Sequence, residues 1–239
     1  MTEFFRFPHT PHLAWLGQGE PRDDKLLTAD EVSALLAGEV VVEEKLDGAN
    51  LGISIGADGI LRAQNRGAWL TPPYSGQFSR LGQWLGMHEQ RFFDALDSQL
   101  IVFGEWCAAR HSLDYSSLPD WWLMFDVYDS TEGLFWSTRR RNALAEKLGV
   151  LTVPRVLQGK LNVASIEALV ANNPSRFRPG TMEGVVVRRE DDDWLQMRGK
   201  LVRADFTQTI ETHWRSRNVE WNRVRHDLEY DHDGARQGA

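Results

Sequence analysis

An α+β fold is what this sequence predicts, and three observations carry the prediction. Short apolar runs of strand length recur at 40–46, 51–55, 59–66, 100–106, 122–128 and 184–189. The helical stretches between them are unequal in length and position, which fits α+β rather than a regularly alternating parallel sheet. No repeat or low-complexity linker divides the chain, and 239 residues with 42% apolar content can bury one full core.

Each element has a local cause. Thr28 with Glu31 three places later is a capping box, predicting a short helix over 28–36 that ends near Gly38. The runs 40–46 and 51–55 read as a hairpin with Asp47-Gly48 at its turn, and 59–66 as a third strand with alternating faces. Phe78, Leu81, Trp84 and Leu85 recur at helical spacing and predict a helix over 76–96. Strands follow at 100–106, 122–128 and 184–189, with helices over 139–148 and 163–172 before the last of them. From 206 to about 228 the chain is expected to be helical, and 231–239 disordered. The expected organisation is a main domain, 1–206, and a carboxyl-terminal extension, 207–239.

Composition excludes several classes. A net charge of −7 argues against indiscriminate coating of nucleic acid, because nonspecific affinity comes mainly from neutralised phosphates. Arginines nevertheless cluster at 139–141, 188–189, 198–203 and 215–225, so any polynucleotide is expected to meet one face. Taken singly, each cluster reads as solvated surface charge. The lone Cys107 allows no internal disulfide and no cysteine-based metal site. No apolar run approaches the ~20 residues of a membrane span, and the amino terminus lacks the apolar core of a signal peptide. A cytoplasmic, membrane-free protein is expected.

The chemistry-bearing residues sit at strand ends. Lys45-Leu46-Asp47-Gly48, with Asn50 two places on, lies between two apolar runs. An ammonium attacks phosphorus poorly, so a nucleophilic Lys45 would need cationic neighbours or a desolvated pocket that lowers its pKa. Arg66 closes the third strand, where its planar fork suits a phosphate or ribose. Glu105 and Glu183 place carboxylates in apolar strands, and burying an unpaired charge costs several kcal/mol, so each is expected to have a cation, hydroxyl or metal partner. Phe125 and Asp126 offer a stacking ring and an acid, on opposite faces if the strand alternates regularly. Arg198, Lys200 and Arg203 add positive charge near the following strand.

These residues, in this order, resemble the motif series of covalent nucleotidyltransferases, the superfamily of DNA ligases, RNA ligases and messenger-RNA capping enzymes. Lys45-Leu46-Asp47-Gly48 is similar to motif I, Phe103-Gly104-Glu105 to motif III and Met124-Phe125-Asp126 to motif IIIa. Glu183 to Val187 is similar to motif IV, and Lys200 to Arg203 to motif V. Asn50 and Arg66 sit where the nick-sealing RNA ligase 2 family carries an asparagine and an arginine for phosphate and ribose contacts. Motif V departs from the usual pair of lysines, with Val202 in the second place and Arg198 as a shifted partner.

The resemblance implies a nucleotidyltransferase fold, antiparallel sheets flanked by helices, and an ATP-dependent RNA ligase that joins 3′-hydroxyl and 5′-phosphate ends, with a nicked RNA duplex as the expected substrate. In that scheme Lys45 carries AMP and Lys200 contacts the α-phosphate. Asp47, Gly48, Asn50, Arg66, Glu105, Phe125, Asp126 and Arg198 serve the nucleotide. Glu183 serves Mg2+ or Mn2+, since oxygen ligands favour those ions over zinc. A DNA-nick ligase and a non-catalytic end-binding protein are the alternatives. Only 33 residues follow Phe206 in the 239, too few for an oligonucleotide-binding barrel, and no amino-terminal nicotinamide-binding domain is evident, which favours ATP over NAD. Strand contacts are therefore expected from Arg215, Arg217, Arg223 and Arg225 in a terminal helix, and end healing from a partner kinase or phosphatase.

Overall fold

The computed structural model describes residues 4–17, 26–209 and 219–225. Thr28 caps α1 (Ala29–Leu35) through the expected box: its hydroxyl accepts from the Glu31 amide, and the Glu31 carboxylate accepts from the Thr28 amide at 2.8 Å. The chain continues through β1 (Glu39–Lys45), β2 (Ala49–Ile55), β3 (Leu61–Gln64) and β4 (Trp69–Leu70). A 3-10 turn at Gly76–Phe78 leads into α2 (Leu81–Ala95) and β5 (Leu100–Trp106). After a loop come β6 (Trp122–Asp129), β7 (Leu134–Phe135), α3 (Thr138–Leu148), β8 (Leu151–Thr152) and β9 (Arg155–Lys160). The remaining elements are α4 (Val163–Asn172), β10 (Gly184–Glu190), β11 (Leu195–Val202) and α5 (Ala204–Thr209).

Two sheets result. One runs in the order β11-β10-β1-β9, the other β4-β3-β2-β5-β6-β7 with β8 also paired to β6. The described pairings are antiparallel except that of β6 with β8. Alternation then sorts the side chains. Val40, Val42, Val185, Val187 and Leu201 of the smaller sheet pack with Leu35 of α1 and with Ile166 and Val170 of α4. Leu51, Ile53, Val102, Trp106, Trp122 and Met124 of the larger sheet pack with Trp84 and Phe92 of α2 and Leu144 and Leu148 of α3. Helices therefore cover the outer faces. The opposite faces carry Lys45, Arg188, Arg198 and Lys200 from one sheet and Asn50 and Glu105 from the other, all lining one cavity.

The expected hairpin of β1 and β2 does not form. β1 lies between β10 and β9, whereas β2 lies between β3 and β5, so Leu46-Asp47-Gly48 crosses from one sheet to the other. Long-range bonds hold this crossover where a two-residue turn would offer only local ones. The Asp47 amide donates to the Tyr115 hydroxyl at 2.8 Å, and Asp47 Oδ2 accepts from the amides of Ser112 (2.7 Å) and Leu113 (2.8 Å). The Gly48 amide donates to Glu105 Oε1 at 2.9 Å. Gly48 is needed for close approach, because a Cβ there would lie 2.6 Å from the Trp106 carbonyl oxygen.

Regular alternation also fails in β6. Phe103 pairs with Asp126 and Gly104 with Met124, leaving Phe125 as the extra residue of a bulge. Phe125 and Asp126 consequently line the same cavity instead of opposite faces. Of the helix expected over 206–228, α5 is present at its start, and 219–225 are extended. There Trp221 bridges to Ala109 and Val224 to Leu118, while the Arg80 guanidinium sits 4.1 Å from the Trp221 ring and 4.8 Å from the Trp121 ring. Backbone pairing with a distant loop has overridden local helical spacing. Arg223 and Arg225 thus lie on an extended segment, and Arg215, Arg217 and the tail at 231–239 fall outside the described residues. Among the described residues no helix is long and apolar enough to cross a membrane.

The crossover is testable through its glycine. Gly48→Ala should lower stability by about 2 kcal/mol, because the Trp106 backbone can yield only by parting β2 from β5. Gly38→Ala, where an added Cβ meets nothing within 4 Å, should be neutral or stabilising by up to about 1 kcal/mol. Equal urea midpoints for the two variants would contradict the close packing of the crossover.

Candidate active site

Between the two sheets lies a cavity of about 500 Å³. Lys45, at the end of β1, has its Nζ 2.7 Å from Glu183 Oε1, and Nζ also donates to the Leu46 carbonyl at 3.4 Å. Glu183 reaches this position because β10 runs antiparallel to β1, with Gly184 opposite Lys45. Gly184 itself must lack a side chain, since a Cβ would come 2.1 Å from the Leu201 carbonyl oxygen. Glu105 arrives from the other sheet, across from Asn50.

The electrostatics differ from the lowered lysine pKa that the sequence leads one to expect. Burial does disfavour the ammonium of Lys45, but Glu183, Glu105 and Asp47 outweigh it and hold the amine above the ordinary lysine value. The carboxylates bear the complementary strain. Burial raises Glu183 to about 8 despite the attraction of Lys45, with Asp47 and Glu105 adding repulsion. Burial likewise raises Glu105 to about 7, opposed by Lys45 and aided by Asp47. Groups displaced this far by burial and named charges, beside a cleft, mark a candidate functional site.

Three buried polar atoms here have no hydrogen-bond partner among the described residues: Glu183 Oε2, Asn50 Oδ1 and Arg66 Nε. Buried polar groups are ordinarily satisfied, so these point at something that would complete them. Arg66 Nη1 also lies 3.5 Å from His9 Nδ1. No cluster of three or more histidine, cysteine, aspartate or glutamate side chains that could cage a metal exists among the described residues. The open oxygen of Glu183 fits a magnesium-like ion whose other ligands are phosphate and water, the usual arrangement for that cation.

Of the residues singled out from the sequence, Lys45, Gly48, Asn50, Arg66, Glu105, Phe125, Asp126, Arg198 and Lys200 line the cavity. Glu183 lies behind Lys45, and the Asp47 side chain turns away to the 112–113 amides. Both oxygens of Asp126 are engaged by arginines, Oδ1 by Arg188 at 2.7 Å and Oδ2 by Arg198. The Arg198 guanidinium is stacked 4.5 Å from the rings of Phe7 and Phe135. Burial, with Arg188 and Arg66 nearby, lowers the Arg198 pKa although Asp126 opposes the shift.

Sequence reasoning missed the rest of this charge array. Glu43, two residues before Lys45 on the same strand face, accepts from Arg141 Nη2 at 2.6 Å, and Arg141 Nη1 donates to the Phe125 carbonyl at 2.8 Å. Arg141 and Arg188 are each 1% exposed, so clusters read as surface charge are partly core. The adjacent acids Glu43-Glu44 in an apolar strand were the available signal. Nothing in the sequence pattern indicated Phe7, His9 or Thr10, which come from the amino-terminal segment to line the cavity.

A family model described as RNA ligase matches residues 38–203. No curated protein matches the chain. Among solved structures, a Naegleria gruberi RNA ligase with PPi superposes with a TM-score of 0.59 at 20% identity, covering 75% of this chain and 53% of that one. A mutant of the Naegleria gruberi RNA ligase with ATP and Mn gives 0.60 at 16% identity, with coverages of 84% and 57%. An archaeal ATP-dependent RNA ligase gives 0.57 at 21% identity, with coverages of 82% and 48%. At these identities the likeness shows a shared fold, and the chain spans about half the length of these structures.

The raised carboxyl pKa values have a signed consequence. Between the ordinary value of 4.5 and about 7 the folded chain holds a proton on Glu105 that the unfolded chain has released, so stability falls as pH rises through that window. Glu105→Gln keeps an acceptor for the Gly48 amide and cannot ionise. It should match wild type near pH 4 and exceed it by about 1–2 kcal/mol at pH 8, the cavity's solvent moderating the full shift. Urea unfolding at both pH values checks the sign, and a variant less stable than wild type at pH 8 contradicts it.

Proposed function

The chain belongs to the RNA ligase family, and from that premise we propose that it is an ATP-dependent RNA ligase working through a lysyl-AMP at Lys45. The observation that carries the proposal is that Lys45 and Glu105 line one cavity with Asn50 and Arg66, that Glu183 pairs with Lys45 from behind, and that Asn50, Arg66 and Glu183 each leave a buried polar atom unpartnered among the described residues. The Naegleria structures with ATP and Mn and with AMP and Mn on the same fold support the choice of nucleotide and of a divalent ion.

In the first step Lys45 Nζ attacks the α-phosphorus of ATP, a P–N bond forms and pyrophosphate leaves. Nζ must first lose a proton, and Glu183, hydrogen-bonded to it at 2.7 Å, is the group placed to take it. A divalent ion at Glu183 would supply charge to offset the phosphates. Lys200 contributes further positive charge on the α-phosphate, and Asn50 and Arg66 bind phosphate or ribose with the atoms they leave open. Glu105, fixed by the Gly48 amide at 2.9 Å, receives the ribose. Phe125, turned inward by its bulge, stacks on adenine. Asp47, Asp126 and Arg198 act by shape, Asp47 holding the crossover and the other two the cavity wall.

The AMP then passes to a 5′-phosphate, freeing Lys45, and a 3′-hydroxyl displaces AMP to seal the strand. The proposed substrate is a nick in duplex RNA, the proposed setting the cytoplasm, and the proposed partners an end-healing kinase or phosphatase. We assign ligase chemistry to 1–206 and treat 207–239 as an extension.

Labelled ATP should give a label that survives denaturing electrophoresis in wild type and vanishes in Lys45→Ala, and also in Lys45→Arg, which keeps a cation beside Glu183. Chelation of divalent ions should cut adduct formation at least tenfold. RNA nicks should be sealed faster than DNA nicks. An adduct retained by Lys45→Ala would overturn the mechanism.

A further inference from the structure

The segment 219–225 lies beyond the family match, which ends at residue 203. We infer that Asn222, within it, is a positioning residue for Lys45, an inference that rests on Lys45 being the nucleophile. Its side chain is 3% exposed and fully engaged. Nδ2 donates to the Cys107 carbonyl at 2.8 Å and reaches the Ala109 carbonyl at 3.4 Å, and Oδ1 accepts from the Tyr115 amide at 2.9 Å. One amide thus ties together both ends of the loop from Cys107 to Tyr115.

That loop is what holds the crossover. Its Ser112 and Leu113 amides donate to Asp47 Oδ2, and the Tyr115 hydroxyl accepts from the Asp47 amide. Asp47 stands two residues after Lys45 and one before Gly48, whose amide fixes Glu105. Cys107, the other end of the loop, follows β5 directly and so continues the strand that bears Glu105. The path from Asn222 to the nucleophile therefore runs through a hydrogen-bonded loop whose Cys107, Leu113 and Tyr115 also pack with Leu46. Tyr115 is wholly buried, and its hydroxyl has a defined partner rather than a solvent one.

The outer segment is itself secured. Besides the Trp221 and Val224 bridges, the Asn222 amide donates to the Ala108 carbonyl at 2.9 Å and the Arg223 amide to the Tyr115 carbonyl at 2.9 Å. Removing the Asn222 side chain leaves this backbone pairing in place and takes away only the three side-chain bonds to the loop. The expected result is a misplaced Lys45 in a folded protein, since small displacements of a reacting group are costly in rate.

Asn222→Ala, Tyr115→Phe and the double variant test this. For Asn222→Ala the adduct-forming rate at saturating ATP, per folded molecule, should fall at least tenfold, while the half-saturating ATP concentration shifts less than threefold. Tyr115→Phe should slow the same step. The double variant should be about as slow as the slower single variant, because both act through Asp47. Independently of activity, hydrogen exchange across Lys45–Gly48 should accelerate at least tenfold in Asn222→Ala with exchange in β5 and β6 unchanged. Unchanged exchange at the crossover, or single-variant effects that multiply in the double, would overturn the inference. If Asn222→Ala fails to fold, Tyr115→Phe alone decides by the same rate and exchange measurements. Absence of any adduct in wild type would refute the proposed function, and the exchange measurement would still decide the positioning role.

Discussion

Asp126 meets Arg188 and Arg198 where the two sheets face one another, and the shape of the cavity depends on that meeting. Asp126 belongs to the larger sheet and both arginines to the smaller, so the ion pairs span the junction. Glu43 and Glu190 extend the array from Arg188, and Arg141 pairs with Glu43, giving three carboxylates to three guanidinium groups. Burial disfavours the charge on Arg188, yet Asp126, Glu43 and Glu190 hold its pKa above the ordinary arginine value. Losing one member of such a buried set costs about 3–5 kcal/mol, because its partner is left charged and dry. Methyl groups tolerate sliding, whereas a carboxylate bridging two arginines, one at each oxygen, is satisfied at one register only. The seam therefore fixes the separation and stagger of the sheets, and with them the distance across the cavity.

The same seam explains the bulge in β6. The Phe125 carbonyl, displaced from regular pairing, accepts from Arg141 at 2.8 Å and from Arg188 at 3.4 Å, so the irregularity is held by charge-assisted bonds. Packing, electrostatics and site geometry converge on that one residue. Its ring faces the cavity because its carbonyl faces the arginines.

Much of this was legible beforehand, and the failures have a common cause. The capping box at Thr28, the core strands and three of the helices follow from local pattern, which reports burial and capping directly. The residues of the site were legible because carboxylates and lysines in apolar strands stand out against their surroundings. The hairpin was misread because Asp-Gly satisfies a turn and a crossover equally well, and the choice was made by Tyr115 and the 112–113 amides, far away in sequence. The terminal helix was misread for the same reason, its latter part being captured by pairing with Ala109 and Leu118. Arg141 and Arg188 read as surface charge because a sequence shows an arginine's neighbours and not its counter-ion. Short strands such as β4, β7 and β8, two residues each, carry too little pattern to register.

The grip of Glu183 on Lys45 bears on which electrophiles the amine can react with. An unprotonated amine in an open cavity would be exposed to every acyl phosphate, thioester and reducing sugar that diffuses in, and acylation there would be a dead end. Held as an ammonium among Glu183, Glu105 and Asp47, the lysine has no lone pair to offer such electrophiles. The carboxylates that hold Lys45 protonated thus also shield it from acylation.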